Sequence, residues 1–122
     1  MKLCITAAGD SLESPVDPRF GRCLYFIFVD SDTKEFQAIA NDQSMAAGGA
    51  GIQAAQIAAN HNAGAVLTGN IGPNACNALK AAGIVMVTGV AGSVNEVVDD
   101  YLRGGLETAA NPSVQSHFGM KN

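Results

Sequence analysis

Two apolar runs near the N-terminus, Leu24 to Val29 and Phe36 to Ala40, are separated only by the hexapeptide "DSDTKE". That short gap constrains the chain more than any other feature. Parallel strands need a crossover of about a dozen residues or more, so strands this close in sequence pair antiparallel. Asp30, Ser31 and Asp32 supply the turn chemistry. The later sequence follows a different rule. "IQAAQIAANH" places Ile52, Ala55, Ile57 and Ala59 at mainly helical spacing, and Ala65 to Leu67 reads as a short buried strand. Pro73 suits the first turn of a helix over "NACNALKAA", with Gly83 as its C′ residue. Ile84 to Val87 is another strand. Ser93 and Glu96 have the spacing of a capping box, for a helix running to Arg103 and stopping at "GG".

With a first strand over residues 2–7, the order is β-β-β-α-β-α-β-α. The closely spaced strands are antiparallel and the helix-connected ones parallel, so the sheet is mixed. "GAVLTGN" (64–70) and "GIVMVTG" (83–89) share a Gly, a short apolar strand and Thr-Gly, an echo too short to be a repeat array. The expected organisation is one cofactor-binding α/β domain over 1–105. A tail over 106–122 has little periodicity and is open to flexibility.

This order also locates the loops. The first, fourth and fifth strands end at one edge of the sheet, near Ala7 to Gly9, Thr68 to Asn70 and Thr88 to Gly89. The second strand begins there, at Arg22 and Cys23, and the third ends there, at Asn41. The loop over 8–23, the loop over 42–51 and the starts of all three helices therefore converge on the usual ligand edge of an open α/β sheet.

The charge balance narrows the partners. Seven basic and eleven acidic residues give a formal net charge of -4, without the basic excess of a nucleic-acid-binding surface. No Trp is present, which disfavours base-stacking platforms. The N-terminus lacks a long signal-peptide apolar region, and no stretch reaches the ~20 apolar residues of a membrane span. The default expectation is a cytoplasmic protein that binds neither nucleic acid nor membrane. Three cysteines form neither a disulfide framework nor a CxxC zinc pattern.

Three blocks carry a resemblance: "DPRFGRCLYFIFVD" (17–30), "GGAGIQAAQIA" (48–58) and "AGAVLTGNIGPNACNALKAAGIVMVTG" (63–89). The chain resembles the dinitrogenase iron–molybdenum cofactor biosynthesis domain. That family includes small stand-alone members of anaerobes, such as the orange proteins of sulfate reducers. The resemblance implies a three-layer ribonuclease H-like α/β fold, with a five-stranded mixed sheet whose second strand is antiparallel. It also implies noncovalent binding and carriage of a molybdenum-copper-sulfide or iron-molybdenum-sulfur cluster, or its precursor, with transfer to a protein partner. The chain departs from the family in two ways. Cys23 stands where relatives commonly carry Ala, and the extra domains of larger nitrogenase accessory proteins are missing from the sequence.

The candidate site residues each have two readings. Arg19 and Arg22 lie on a short loop bounded by Pro18 and Gly21. Their guanidinium groups offer directed donors to sulfide, oxo, phosphate or carboxylate acceptors. Alternatively they pair internally with Asp10, Glu13 or Asp17. A Cys23 thiolate beside two arginines is expected to have a lowered pKa and to suit copper(I) or iron–sulfur units. Otherwise Cys23 is a small buried residue opening a strand. Cys4 and Cys76 read as core.

Gly48, Gly49 and Gly51 open a helix, where backbone N–H groups can approach an anion, or else form a flexible linker. The run matches neither GxGxxG nor GxxxxGK[ST]. Gly69, Asn70 and Gly72 at a second helix start would share the rim, with Asn70 as an amide donor or a helix cap. Met45 offers a thioether or ordinary loop packing. His117, in the tail, offers an imidazole to a metal or belongs to a disordered terminus. His61 ends a helix at the opposite edge.

No nucleophile–base set and no carboxylate pair falls on the ligand edge, so the expectation is a carrier rather than an enzyme. The other readings are a nucleotide- or small-anion-binding sensor at the same edge and a regulatory interaction domain.

Overall fold

The computed structural model describes residues 1–42, 49–109 and 111–113. Its elements are β1 (Lys2–Ala7), β2 (Tyr25–Asp30), β3 (Phe36–Ala40), α1 (Ala50–Asn60), β4 (Ala63–Leu67), α2 (Pro73–Ala81), β5 (Val85–Val87) and α3 (Val94–Leu102). One five-stranded sheet has the order β3-β2-β1-β4-β5. β2 is antiparallel to both β1 and β3, while β1, β4 and β5 run parallel. The expected order and mixed sheet are therefore present, with small boundary changes. β2 starts at Tyr25, because Leu24 is exposed rather than part of the buried run. α1 starts at Ala50, two residues before its apolar pattern, because Gly49 turns the chain in a left-handed conformation.

Alternation along the strands creates two apolar faces and three layers. Cys4, Phe26, Phe28, Val66 and Met86 pack with Ala54, Ala55 and Ala58 of α1 and with Ala75, Cys76 and Leu79 of α2. On the other face Leu3, Ile5, Ile27, Val29, Leu67 and Val87 pack with Val94, Val97 and Val98 of α3. Val97 and Val98 lie three and four residues after Val94, one side of a helix. Their helix opens with the expected capping box. Glu96 N–H donates to Ser93 Oγ and Ser93 N–H donates to Glu96 Oε1. The β2–β3 turn is held by Asp30 Oδ1, which accepts from the N–H groups of Asp32 and Thr33. Those bonds hold the Asp30 carboxyl below its ordinary pKa.

The segment after α3, for which no element was expected, has defined contacts. Ala109 bridges to Met86 of β5, with its N–H donating to Met86 O at 2.7 Å. Ser113 reaches the start of α2. Its N–H donates to Ile71 O at 2.8 Å, and Ile71 N–H donates to Ser113 Oγ at 2.8 Å.

Candidate functional site

The long loop between β1 and β2 crosses the edge where β1, β4 and β5 end. Its path is fixed by the backbone. Asp17 N–H donates to Thr6 O at 2.9 Å, and Val16 N–H donates to Gly92 O at 2.8 Å, beside the start of α3. Asn70 N–H donates to Pro18 O at 2.8 Å, and Phe20 N–H donates to Asn70 O at 3.3 Å. Arg19 and Asn70 thus form a short parallel bridge beyond the ends of the main strands.

Glycines allow this closeness. A Cβ on Gly69 would lie 2.6 Å from Pro18 Cα, and one on Gly21 would lie 2.7 Å from Gly51 N. A Cβ on Gly51 would meet that of Ala75 at 3.1 Å, so α1 and α2 approach closely at their starts. The bare faces of Gly21, Gly51 and Gly69 are therefore filled by the protein's own atoms. Gly49 differs: it has φ of 76° and open space where a Cβ would stand. Gly72 is the N-cap of α2, and its carbonyl accepts from Cys76 N–H.

Arg19 has a specific holder. Its Nε and Nη2 donate to the Asp17 carboxylate at 3.2 and 3.3 Å, and its backbone N–H donates to Asp17 Oδ1 at 3.0 Å. Asp17 is 5% exposed, whereas the Arg19 side chain is 40% exposed. The hydrogen bond to Asp17 raises the Arg19 pKa above its ordinary value. The Asp17 carbonyl is fixed in turn. Thr6 Oγ1 donates to it at 2.6 Å, and Thr68 Oγ1 lies 2.6 Å from Thr6 Oγ1.

The internal pairing of Arg19 with Asp17 is thus real, and it orients the guanidinium without burying it. It also offsets one positive charge. Arg22 is half-buried and engaged by an interaction of its own. Its backbone N–H closes a turn onto Arg19 O at 3.2 Å.

Cys23 departs from its expected chemistry. The residue has no exposed surface, and its Sγ donates to Phe20 O at 3.4 Å. Asn41 Nδ2 closes over it, donating to the carbonyls of Cys23 and Gly21 at 2.8 and 3.1 Å. Burial raises the thiol pKa instead of lowering it: desolvation of the thiolate is the largest cause, Cys4 and Asp17 add to it, and the hydrogen bond from Asn41 offsets only part of the rise. Cys4 and Cys76 are core, as expected. His61 lies at the far end of α1, stacked on Phe28 with ring centroids 4.5 Å apart. Met45, Gly48 and His117 lie outside the described residues. Among the described residues, no group of three or more His, Cys, Asp or Glu side chains could hold a metal ion.

Residues 1–104 match the model of the family described as "Dinitrogenase iron-molybdenum cofactor". The chain belongs to this family. It is similar to the apo form of the orange protein from Desulfovibrio gigas, with 39% identity and a TM-score of 0.90. That likeness covers 93% of this chain and 96% of the other. A Thermotoga protein solved by NMR has 29% identity and a TM-score of 0.81, over 93% of this chain and 97% of that one. An uncharacterized protein of Methanocaldococcus jannaschii is 32% identical over 75% of this chain and 80% of its own length.

The family's three sequence blocks acquire a common physical meaning at this edge. Gly21 of the first block touches Gly51 of the second. Gly51 approaches Ala75 of the third, and Gly69 of the third lies against Pro18 of the first. Each pair of blocks meets at a glycine.

Sequence reasoning treated Asp17 only as one of three possible arginine partners and passed over the clip between Ile71 and Ser113. It also left unremarked the exposed apolar side chains of Leu24 and Ile52, 52% and 42% exposed, at the starts of β2 and α1. The helical pattern did reveal Ile52 as an apolar residue, but only the start of α1 at Ala50 puts it in the first turn at this edge.

Proposed function

We propose that the protein captures and carries, without covalent attachment, a molybdenum-containing metal–sulfur cluster or its precursor. The site is the rim formed by Arg19, Arg22 and Asn70 with the starts of α1 and α2. The carrying observation is the Asp17–Arg19 arrangement: a buried carboxylate orients a half-exposed guanidinium at the ligand edge of a family member. Nε and one Nη2 donor serve Asp17, and the remaining donors are available to sulfido or oxo groups of a cargo. A guanidinium is weakly hydrated, so it suits a large anion whose charge is thinly spread. Leu24 and Ile52 add apolar surface for a polarizable cargo.

The segment 16–24 contains Asp17, Arg19 and Arg22, hence charges of -1, +1 and +1 and a sum of +1. Orientation of donors therefore contributes more than bulk positive charge. The burial of Cys23 supports capture without a thiolate bond to metal. Met45, Gly48, Gly49 and Gly72 are proposed as surrounding contacts and His117 as a candidate metal ligand, with Gly49 the best placed of the glycines because its face is open, while Gly51 and Gly69 shape the rim by close packing within the protein. The protein's role is capture, protection and handover to an acceptor protein rather than catalysis. Likeness to the orange protein is consistent with this non-enzymatic role.

The test is an anaerobic titration with tetrathiomolybdate and copper(I), followed by elemental analysis. Arg19→Gln with Arg22→Gln should weaken capture about 30-fold, corresponding to ~2 kcal/mol for two partly exposed charge-assisted contacts. Cys23→Ala should change it much less. Equal affinity in the double arginine variant would refute the site. Complete loss in Cys23→Ala alone would make the thiol a ligand. Retention of nucleotide or phosphate in place of the cluster would favour the sensor reading.

A further inference from the structure

Asn70 and Ile71 are consecutive residues of the extended segment joining β4 to α2, and their backbone groups face different partners. Asn70 bonds through both its N–H and its C=O to the arginine loop, at Pro18 and Phe20. Ile71 bonds through both its groups to Ser113, and Ser113 Oγ lies a further 3.4 Å from Ile71 O. In extended chain, successive residues turn their backbone groups to opposite sides. The segment is therefore held between two flanks, the arginine loop on one and the C-terminal arm on the other. Ile71 is 1% exposed, so its side chain anchors the segment in the core while the flanks set its backbone. Ala109, bonded to Met86, fixes the arm to the sheet four residues earlier.

We propose that Ser113 is a positioning residue of the cargo rim: by clipping Ile71 it holds Asn70 in register with Pro18 and Phe20, and so fixes the loop that carries Arg19. This rests on the cargo reading for its purpose but not for its geometry. Ser113 does not touch the cargo. It acts through Ile71 and Asn70, and the coupling is reciprocal. A cargo that tightens the rim also tightens the clip.

Three full-length variants separate the contributions. Ser113→Pro removes the N–H and the hydroxyl, Ser113→Ala removes the hydroxyl alone, and Ser113→Thr keeps both. The first readout is NMR of the cargo-free protein, following amide exchange at Phe20, whose N–H is bonded across the segment, and the Arg19 Nε–H resonance. Ser113→Pro should speed Phe20 exchange about tenfold, the factor one ordinary hydrogen bond supplies, and should shift the Arg19 signal. Ser113→Ala should fall between Ser113→Pro and wild type, and Ser113→Thr should match wild type. The second readout is the tetrathiomolybdate–copper(I) titration, where Ser113→Pro should lose about fivefold in affinity. Faster exchange at Ile71 with Phe20 and Arg19 unchanged would overturn the proposal. Failure of the wild-type protein to capture the probe would instead sink the cargo reading, while the exchange data still decide the role of Ser113.

Discussion

Gly69→Ala tests the seam on which the site depends. Gly69 does not have a positive φ, so alanine is compatible with its backbone and the effect is steric. The new methyl would lie 2.6, 2.7 and 2.9 Å from Pro18 Cα, Cβ and O, all atoms of a stiff residue. Ordinary contact requires a separation nearer ~3.5 Å, so the loop has to retreat by about 0.9 Å. That displacement stretches the 2.8 Å bond from Asn70 N–H to Pro18 O beyond useful length. Overpacking costs about 1–3 kcal/mol and the lost bond about 1 kcal/mol. Reduced freedom of the unfolded chain returns about 0.4–1 kcal/mol. The net expectation is a loss of ~2–3 kcal/mol, or about 6–15 °C in Tm for a chain of this size. Urea unfolding gives the free energy, and amide exchange at Asn70 shows whether the seam has parted. Stability within ~0.5 kcal/mol of wild type, with the Asn70 amide still protected, would refute the close-approach reasoning.

Other perturbations probe different parts of the molecule. The Cys4 and Cys23 thiols have folded pKa values raised above the ordinary 9.0 by burial, so the native state keeps its protons longer than the unfolded chain. Their contribution to stability is complete below the unfolded value and is lost as pH rises through the folded one. The urea midpoint should therefore drop above about pH 9, and a Cys4→Ala, Cys23→Ala variant should flatten that alkaline limb. Native protein at pH 8 should resist iodoacetamide that labels it readily in urea; fast native labelling would contradict the burial of these thiols. Ser93→Ala removes the acceptor for Glu96 N–H and should cost about 1 kcal/mol in thermal or urea unfolding. Asp17→Asn leaves one carbonyl oxygen for Arg19 and should cost about 1 kcal/mol, discounted because the guanidinium is 40% exposed. In that variant the Arg19 Nε–H signal should move toward that of a solvated arginine.

The parts of the fold governed by neighbours in sequence are legible in the sequence itself. The capping box depends on two residues three positions apart, and the turn at Asp30 on bonds within the turn itself. Spacing alone separated the antiparallel strands from the parallel ones. The ligand edge followed from that order, so the placement of the arginine loop and Asn70 could be read from strand direction. The chemistry at the edge was less legible because burial is a property of the assembled chain. Two arginines beside Cys23 suggest a lowered thiol pKa in sequence, but Asn41 covers the residue from the far end of β3. Asp17 was one acid among three until Thr6 and Thr68 fixed its backbone inside the fold. The glycines of the family blocks suggested approach by a ligand, whereas at Gly21, Gly51 and Gly69 it is the protein that approaches. The arm at Ala109 and Ser113 left no periodic signal, since it is held largely through backbone groups, for which side-chain patterning carries no code.

The central position of β1 has a consequence for the order in which the molecule is completed. β1, β2 and β3 are joined by contacts available early in synthesis, whereas the parallel partner of β1 arrives only with residues 63–67. The hydroxyls of Thr6 and Thr68, 62 residues apart in sequence, meet only after that strand has docked. The Gly69–Pro18 seam closes in the same event. Long-range closure of this kind is the slow part of folding on topological grounds. The rim is thus a late product of the fold, and on the proposed function a chain that has not yet docked β4 lacks a competent place to receive a cluster.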